Sequence, residues 1–286
     1  MLEPELARAK VNLALHVTGR REDGYHLLDT LVVFPAIGDV LSVSAADELA
    51  LVVDGPGAAD LADTAHEANL VMRAARGMAE IAGPRAFGVT IRLEKHLPVA
   101  AGLGGGSADA AATIRMLARL WDIDVADPRV EALALTLGAD VPMCLHSRPL
   151  RARGIGEAVE PVEIAGDLGI LIVNPRVPVP TPSVFRALAR RDNPAMREPV
   201  GSGRSDLIAH LRDSRNDLEP AAIAVEPLVA RLLQDLHGLE GRLLARMSGS
   251  GATCFALFEH AEAARDAGRR LAAERPDWWI RSAPLA

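Results

Sequence analysis

Lysine is nearly missing from this chain: of 31 basic residues only Lys10 and Lys95 are lysines, and the rest are arginines. A lysine kept against that bias marks a place where a compact ammonium suits better than a planar fork. Cysteine is as scarce. Cys144 and Cys254 stand far apart in apolar surroundings, which argues against a disulfide or a metal site and for two buried thiols. Aromatics are limited to five phenylalanines, three tryptophans and one tyrosine, Tyr25. No apolar run reaches the length of a membrane span. The first residues, Met-Leu-Glu-Pro-Glu-Leu, lack the basic start and apolar core of a signal peptide. A cytoplasmic protein with no membrane partner is therefore expected. Positive charge is in deficit too: a formal net charge of −7 argues against a nucleic-acid partner. An acidic chain that binds a polyphosphate must do so with local devices, namely helix ends, backbone amides and a placed cation.

What is present is dominated by one stretch, Pro98–Ala108, which reads Pro-Val-Ala-Ala-Gly-Leu-Gly-Gly-Gly-Ser-Ala. Before it, Val89, Ile91 and Leu93 alternate with polar residues, the period of a strand over 88–94. After it, Ala110, Ala111, Ile114, Leu117, Ala118 and Trp121 fall on one helical face. Strand, glycine loop and helix start together present amide groups and a positive dipole end to an anion. Gly102, Gly104, Gly105 and Gly106 each cost about 0.5–1 kcal/mol against alanine, more than a plain turn needs. The alternative is a flexible connector with Ser107 as an ordinary N-cap. The loop is not a Walker A motif, since no lysine precedes Ser107, and it lacks the third glycine of a dinucleotide fingerprint. Asp109, in the first helical turn, would repel a phosphate. It must point away or meet the anion through a cation.

Residues 7–18 alternate as a strand that projects Lys10 and Asn12 side by side, either as a site or as a solvated polar face. Asp23-Gly24 signals a type I′ hairpin turn. Tyr25 and His26 follow it, where the tyrosine either stacks on a planar ring or anchors the hairpin. Further strands are expected over 27–34, 40–44 and 49–54, and helices over 69–81 and from Asp127-Pro128 to Gly138. Asp140 stands just past that last helix, where it either caps a turn or faces the glycine loop. In the second half, 168–173 reads as a buried strand and 175–182 as an extended proline-rich run. Residues 191–206 read as a mobile loop and 216–237 as mostly helix. Two strands flank a second glycine turn, Ser248-Gly-Ser-Gly251. A helix over 261–274 and a strand near 278–281 complete an α+β half.

Six segments together resemble the GHMP kinase superfamily of small-molecule kinases. They are Ala9-Lys-Val-Asn-Leu13, Gly19-Arg-Arg-Glu-Asp-Gly-Tyr-His26, Pro98–Ala108, Leu137-Gly-Ala-Asp-Val-Pro142, Ala152-Arg-Gly-Ile-Gly-Glu157 and Ser248-Gly-Ser-Gly-Ala-Thr253. The glycine loop marks the superfamily. The Asp-Gly-Tyr-His and Lys-Val-Asn segments are similar to the branch that phosphorylates, at its C2 hydroxyl, a methylerythritol carried on cytidine diphosphate. That branch serves the non-mevalonate route to isoprenoid precursors. The resemblance implies an α+β fold of two domains, a ribosomal-protein-type N-terminal domain over 1–152 and a ferredoxin-like C-terminal domain over 153–286. It implies ATP as donor with Mg²⁺, and a small-molecule partner bearing a cytidine diphosphate group. Asp140 would be the base at the accepting hydroxyl and Lys10 the cation beside it. Pro98, Val99, Ala100, Ala101, Gly102, Leu103, Gly104, Gly105, Gly106, Ser107 and Ala108 would wrap the ATP phosphates. Asn69 and Lys95 would lie near the adenine or ribose. Tyr25 would stack on the cytosine, His26 would hydrogen-bond to it, and Asn12 would help position the substrate. No Asp/Glu pair announces itself as a Mg²⁺ site, and Ser107 is the candidate contributor. The rival readings are a superfamily kinase for a sugar or a mevalonate-like acid, and a nucleotide-binding regulator without the chemistry.

Overall fold

A computed structural model describes residues 3–61, 68–164, 166–198 and 203–285. Its strands in the first half are β1 (Glu5–Arg8), β2 (Val11–Arg20), β3 (His26–Val33), β4 (Gly38–Ala45), β5 (Ala50–Asp54) and β6 (Val89–Glu94). Later come β7 (Leu150–Gly154), β8 (Ala158–Pro161), β9 (Gly169–Asn174), β10 (Arg242–Met247), β11 (Cys254–Phe258) and β12 (Trp279–Pro284). The helices are α1 (Leu70–Ala82), α2 (Gly105–Leu120), α3 (Pro128–Leu137), α4 (Val141–His146) and α5 (Thr181–Arg186). They continue with α6 (Arg204–Asp213), α7 (Glu219–Val225), α8 (Leu228–Gly238) and α9 (Ala261–Glu274). Helices and sheets are segregated as in an α+β protein. Among the described residues no helix is long and apolar enough to cross a membrane.

The chain packs into two compact units that do not follow a single cut in the sequence. One gathers residues 1–9, 38–99 and 104–147. Its sheet runs β1-β4-β6-β5, with β5 parallel to β6 and the other pairs antiparallel. Val89, Ile91 and Leu93 are buried, as their alternation predicts, and the apolar face of α2 packs on β1 and β4. Asp127 caps α3 by accepting the Arg129 N–H, with Pro128 in the first turn, also as read.

The other unit gathers residues 10–37, 100–103 and 148–286. It holds two antiparallel sheets, β2-β3-β7-β8 and β10-β11-β9-β12. Its core joins Leu15 and Val17 of β2 to Leu171 and Val173 of β9, Phe258 of β11, and the inward faces of α8 and α9. Cys144 in the first unit and Cys254 in the second are both buried, and neither is in a disulfide.

Several expectations are corrected. The strand expected over 7–18 is two strands, β1 and β2, which join different sheets. Along β2 the register shifts between Asn12 and Ala14 and again between Val17 and Gly19. Both of its faces are buried, so Lys10, Asn12 and His16 do not form a solvated side. The hairpin turn is not type I′, because Gly24 alone takes a positive φ, of 93°, and Asp23 does not. The helix expected over 216–237 breaks into α7 and α8 at Glu226, which precedes Pro227 and is extended (φ −140°, ψ 96°). Residues 191–198 carry no regular structure, whereas α6 begins at Arg204; residues 199–202 of the expected loop lie outside the described residues.

Candidate active site

The first part of the glycine-rich loop, residues 100–103, is held inside the second unit by the other glycine turn. Ala100 and Gly102 take positive φ values of 53° and 72°. A Cβ on Gly102 would sit 2.6 Å from the Gly251 carbonyl oxygen and 3.2 Å from that of Ser248. Only glycine meets both demands. The Ala101 carbonyl accepts from Thr253 Oγ1 at 2.5 Å, and the Leu103 carbonyl accepts from the Lys10 N–H at 2.8 Å. The turn is itself braced: Asn216 Nδ2 donates to the Met247 and Gly249 carbonyls at 2.8 and 2.9 Å. Ser248 Oγ accepts from the Asn12 N–H at 3.0 Å. The Lys-Val-Asn segment and both glycine segments therefore share one hydrogen-bonded framework.

The loop's second part opens α2 in the first unit. Gly104 is the left-handed N-cap, with φ 61°, and the first intrahelical bond runs from the Ala108 N–H to the Gly104 carbonyl at 2.8 Å. The amides of Gly105, Gly106 and Ser107 precede that bond, so they have no carbonyl one turn back and the helix dipole adds to them. A Cβ on Gly105 would lie 3.3 Å from Lys95 Nζ.

Asp109 is buried, with 3% of its surface exposed, and accepts from Lys95 Nζ at 2.9 Å. Asp39 takes the same ammonium at 2.5 Å. Asp109 points away from solvent and meets a cation of the chain itself. Lys95, 2% exposed, has its ammonium enclosed by two carboxylates instead of reaching into an open cleft. Asn69 caps α1, accepting the Val71 N–H at 2.9 Å.

Lys10 is 6% exposed at the bend between β1 and β2. Asn12, 2% exposed, donates through Nδ2 to Thr30 Oγ1 at 2.8 Å, and its Oδ1 is buried without a hydrogen-bond partner. Asp140 is half-buried at the N-cap position of α4, a six-residue helix packed on α2. Sequence periodicity misses a helix that short.

Tyr25 is 58% exposed at the tip of the β2–β3 hairpin. His26 stacks on Phe185 of α5, with ring centroids 4.7 Å apart and 25° between planes. Burial, then the charges of Arg20 and Arg191, lower the His26 pKa, so the ring is held neutral. Its Nε2 is buried without a hydrogen-bond partner. Phe185 was not among the residues singled out from the sequence. Its signal was weak: a rare aromatic four residues after the Thr181-Pro182 helix start. Among the described residues no three of His, Cys, Asp and Glu gather as a metal site.

Residues 69–148 match the family model of the GHMP kinases N terminal domain, and residues 184–277 match that of the GHMP kinases C terminal. The chain is 51% identical over 282 residues to the 4-diphosphocytidyl-2-C-methyl-D-erythritol kinase of Cereibacter sphaeroides, covering 98% of each chain. It is 50% identical over 279 residues to that of Rhizobium etli, covering 97% of this chain and 93% of the relative. A crystal structure of a 4-(cytidine 5'-diphospho)-2C-methyl-D-erythritol kinase is similar at a TM-score of 0.80 and 36% identity, covering 99% of this chain and 100% of the other.

Proposed function

Because this chain belongs to the GHMP kinases, in the branch of the 4-diphosphocytidyl-2-C-methyl-D-erythritol kinases, we propose that it transfers the ATP γ-phosphoryl group to the C2 hydroxyl of 4-diphosphocytidyl-2-C-methyl-D-erythritol. The products are the 2-phosphate and ADP, on the non-mevalonate route to isoprenoid precursors in the cytoplasm. The nucleotide role falls to residues 1–152 and the closing half of the enzyme to 153–286.

Phosphoryl transfer asks the protein chiefly for alignment and charge neutralisation. Residues 98–108 supply amides and a helix start for the triphosphate, with Asn69 at the nucleoside end and Lys95 behind the loop, out of the ligand's reach. Asp140 accepts the proton of the C2 hydroxyl as its oxygen bonds to the γ-phosphorus and the bond to the ADP oxygen breaks. Lys10 offsets the negative charge gathered there. Magnesium supplies further neutralisation when bound with ATP. The Ser107 hydroxyl is the chain's own candidate to hold that ion, which would add to the charge neutralisation given by the loop amides. Asn12 helps position the acceptor.

The observation that carries the choice of acceptor is His26. A neutral imidazole stacked on Phe185, beside the exposed ring of Tyr25, makes an aromatic platform for the face of a planar base, and the Nε2 has no partner in the chain to compete with the base's edge once the platform opens to it. The test is a direct assay of ATP with the cytidyl acceptor, with galactose, homoserine and mevalonate as controls. Turnover is expected with the first alone. Cytidine diphosphate is expected to compete with the acceptor, and Tyr25→Ala to raise the acceptor KM about tenfold or more, at the 1–3 kcal/mol scale of base stacking. Absence of competition would remove the cytidine reading.

A further inference from the structure

The two oddities of the sequence around the glycine loop, a rare lysine before it and a carboxylate inside the helix after it, are one structure. Lys95 follows directly on β6, three residues before the loop opens at Pro98. Its ammonium is clasped by Asp39 of β4 at 2.5 Å and by Asp109 of α2 at 2.9 Å. The second oxygen of Asp39 accepts the N–H groups of His96 and Leu97 at 2.6 and 2.8 Å. The Lys95 backbone is fixed as well: its N–H donates to the Asp54 carbonyl at 2.7 Å, and its carbonyl accepts from Gly57 at 2.9 Å. Asp39 therefore pins the strand side of the loop, Asp109 belongs to the helix side, and Lys95 joins them.

We infer that Lys95, Asp39 and Asp109 are positioning residues which set the spacing between the two ends of the glycine-rich loop and so determine its affinity for the nucleotide polyphosphate. This rests on the nucleotide reading of that loop. The ammonium comes within van der Waals reach of where a Gly105 Cβ would stand, directly behind the first amide of the helix. The cluster is shut off from solvent, with Asp39 fully buried and the other two nearly so, and is out of a ligand's reach. Its charge is matched to that setting. Two carboxylates against one ammonium would leave a buried negative charge behind an anion site. Burial pushes Asp109 up to about 8, against the pull of the Lys95 charge and with a further push from Asp39, so a proton retained there brings the three groups to neutrality. The polyphosphate then meets amides backed by a neutral, rigid clasp.

Calorimetric titration of Mg·ATP into the full chain, without acceptor, tests this alongside thermal melting. The variant Lys95→Met leaves two carboxyl groups facing each other and is expected to weaken ATP binding at least tenfold. Lys95→Met combined with Asp39→Asn and Asp109→Leu removes every charge of the cluster and leaves the side-chain oxygen at position 39 on its two amides. It is expected to melt close to the wild type yet still bind ATP at least tenfold more weakly. Asp109→Asn keeps the volume, one acceptor oxygen and the neutrality that a retained proton gives Asp109, and is expected to fold and to bind ATP within twofold of the wild type. For the active Lys95→Met variants, the KM for the acceptor is expected to stay within twofold while that for ATP rises. If the triple variant binds ATP as tightly as the wild type while keeping its stability, the clasp serves stability alone and the inference falls; a folded Asp109→Asn chain that binds ATP tenfold more weakly would overturn the neutral clasp. A wild-type chain that does not bind ATP would instead remove the nucleotide reading itself.

Discussion

Arg151 of β7 grips Asp29 of β3 through two hydrogen bonds, Nε to Oδ1 at 2.7 Å and Nη2 to Oδ2 at 2.8 Å. The register sets Asp29 opposite Arg153 and Leu31 opposite Arg151, so the pair is a diagonal one across the ladder. The same carboxylate accepts the Met196 N–H at 2.9 Å, and the same guanidinium donates to the Met196 carbonyl at 2.6 Å. A segment without regular structure is thereby tied to β3, the strand that His26 opens.

Removing one member of this pair strands the other in the interior. Arg151→Met should cost about 3–5 kcal/mol, the range for a buried charge deprived of its partner, read as a fall in the urea midpoint. Burial alone would raise the Asp29 carboxyl, but the hydrogen bonds and charge of Arg151, with the Met196 amide, hold it below its ordinary value. A depressed carboxyl stabilises the fold above the unfolded value and loses that contribution as pH falls through the folded one. The wild type should therefore weaken below about pH 4, and an Arg151→Met midpoint equal to the wild type's would remove the pair from the stability account.

His16 should make the same unit sensitive to mild acid. Its Nδ1 donates to the Pro194 carbonyl at 3.1 Å, which leaves Nε2 to accept the Arg215 N–H at 3.2 Å. A second ring proton would face a donor. Burial first, then the Arg215 charge, lower the His16 pKa. The unfolded chain thus binds the proton more readily, and stability is full above the unfolded value near 6.5 and declines as pH falls below it. The slope for one such group is at most about 1.4 kcal/mol per pH unit. Denaturant midpoints between pH 7 and 5 should fall for the wild type and flatten in His16→Gln. Parallel curves would mean another group is titrating.

Asp140→Asn keeps shape and removes the base. Turnover should drop by about 10²–10⁴-fold, the usual contribution of a positioned acid–base group, with Mg·ATP binding unchanged in calorimetry. Turnover within a few-fold of the wild type would reduce Asp140 to an orienting group or to none.

Long periodic elements were legible from the residues alone. The helix over 261–274 has the bounds read for it, β6 differs by one residue at its start, and α1 is displaced by one residue at each end. Periodicity failed where packing decides instead. The six-residue helices α4 and α5 are too short to show a face. β7 carries Arg151 inward, a sequence signal of exposure that holds only until Asp29, 122 residues away, supplies a partner. The glycine loop was legible because its cost demands a use. The fate of Asp109 and Lys95 was not, since it depends on Asp39, a residue without local distinction. Phe185 shows the same limit: an aromatic gains meaning only beside the ring it stacks on.

Both thiols lie in the interior, and burial pushes that of Cys254 up. The folded chain should be silent to alkylating reagents and give up two reactive groups only as it opens. It thus carries its own chemical reporter of unfolding. A cysteine placed at an exposed strand position such as Val52 would be the single addressable handle on the native surface, available for a dye or a tether without first stripping the natural cysteines out.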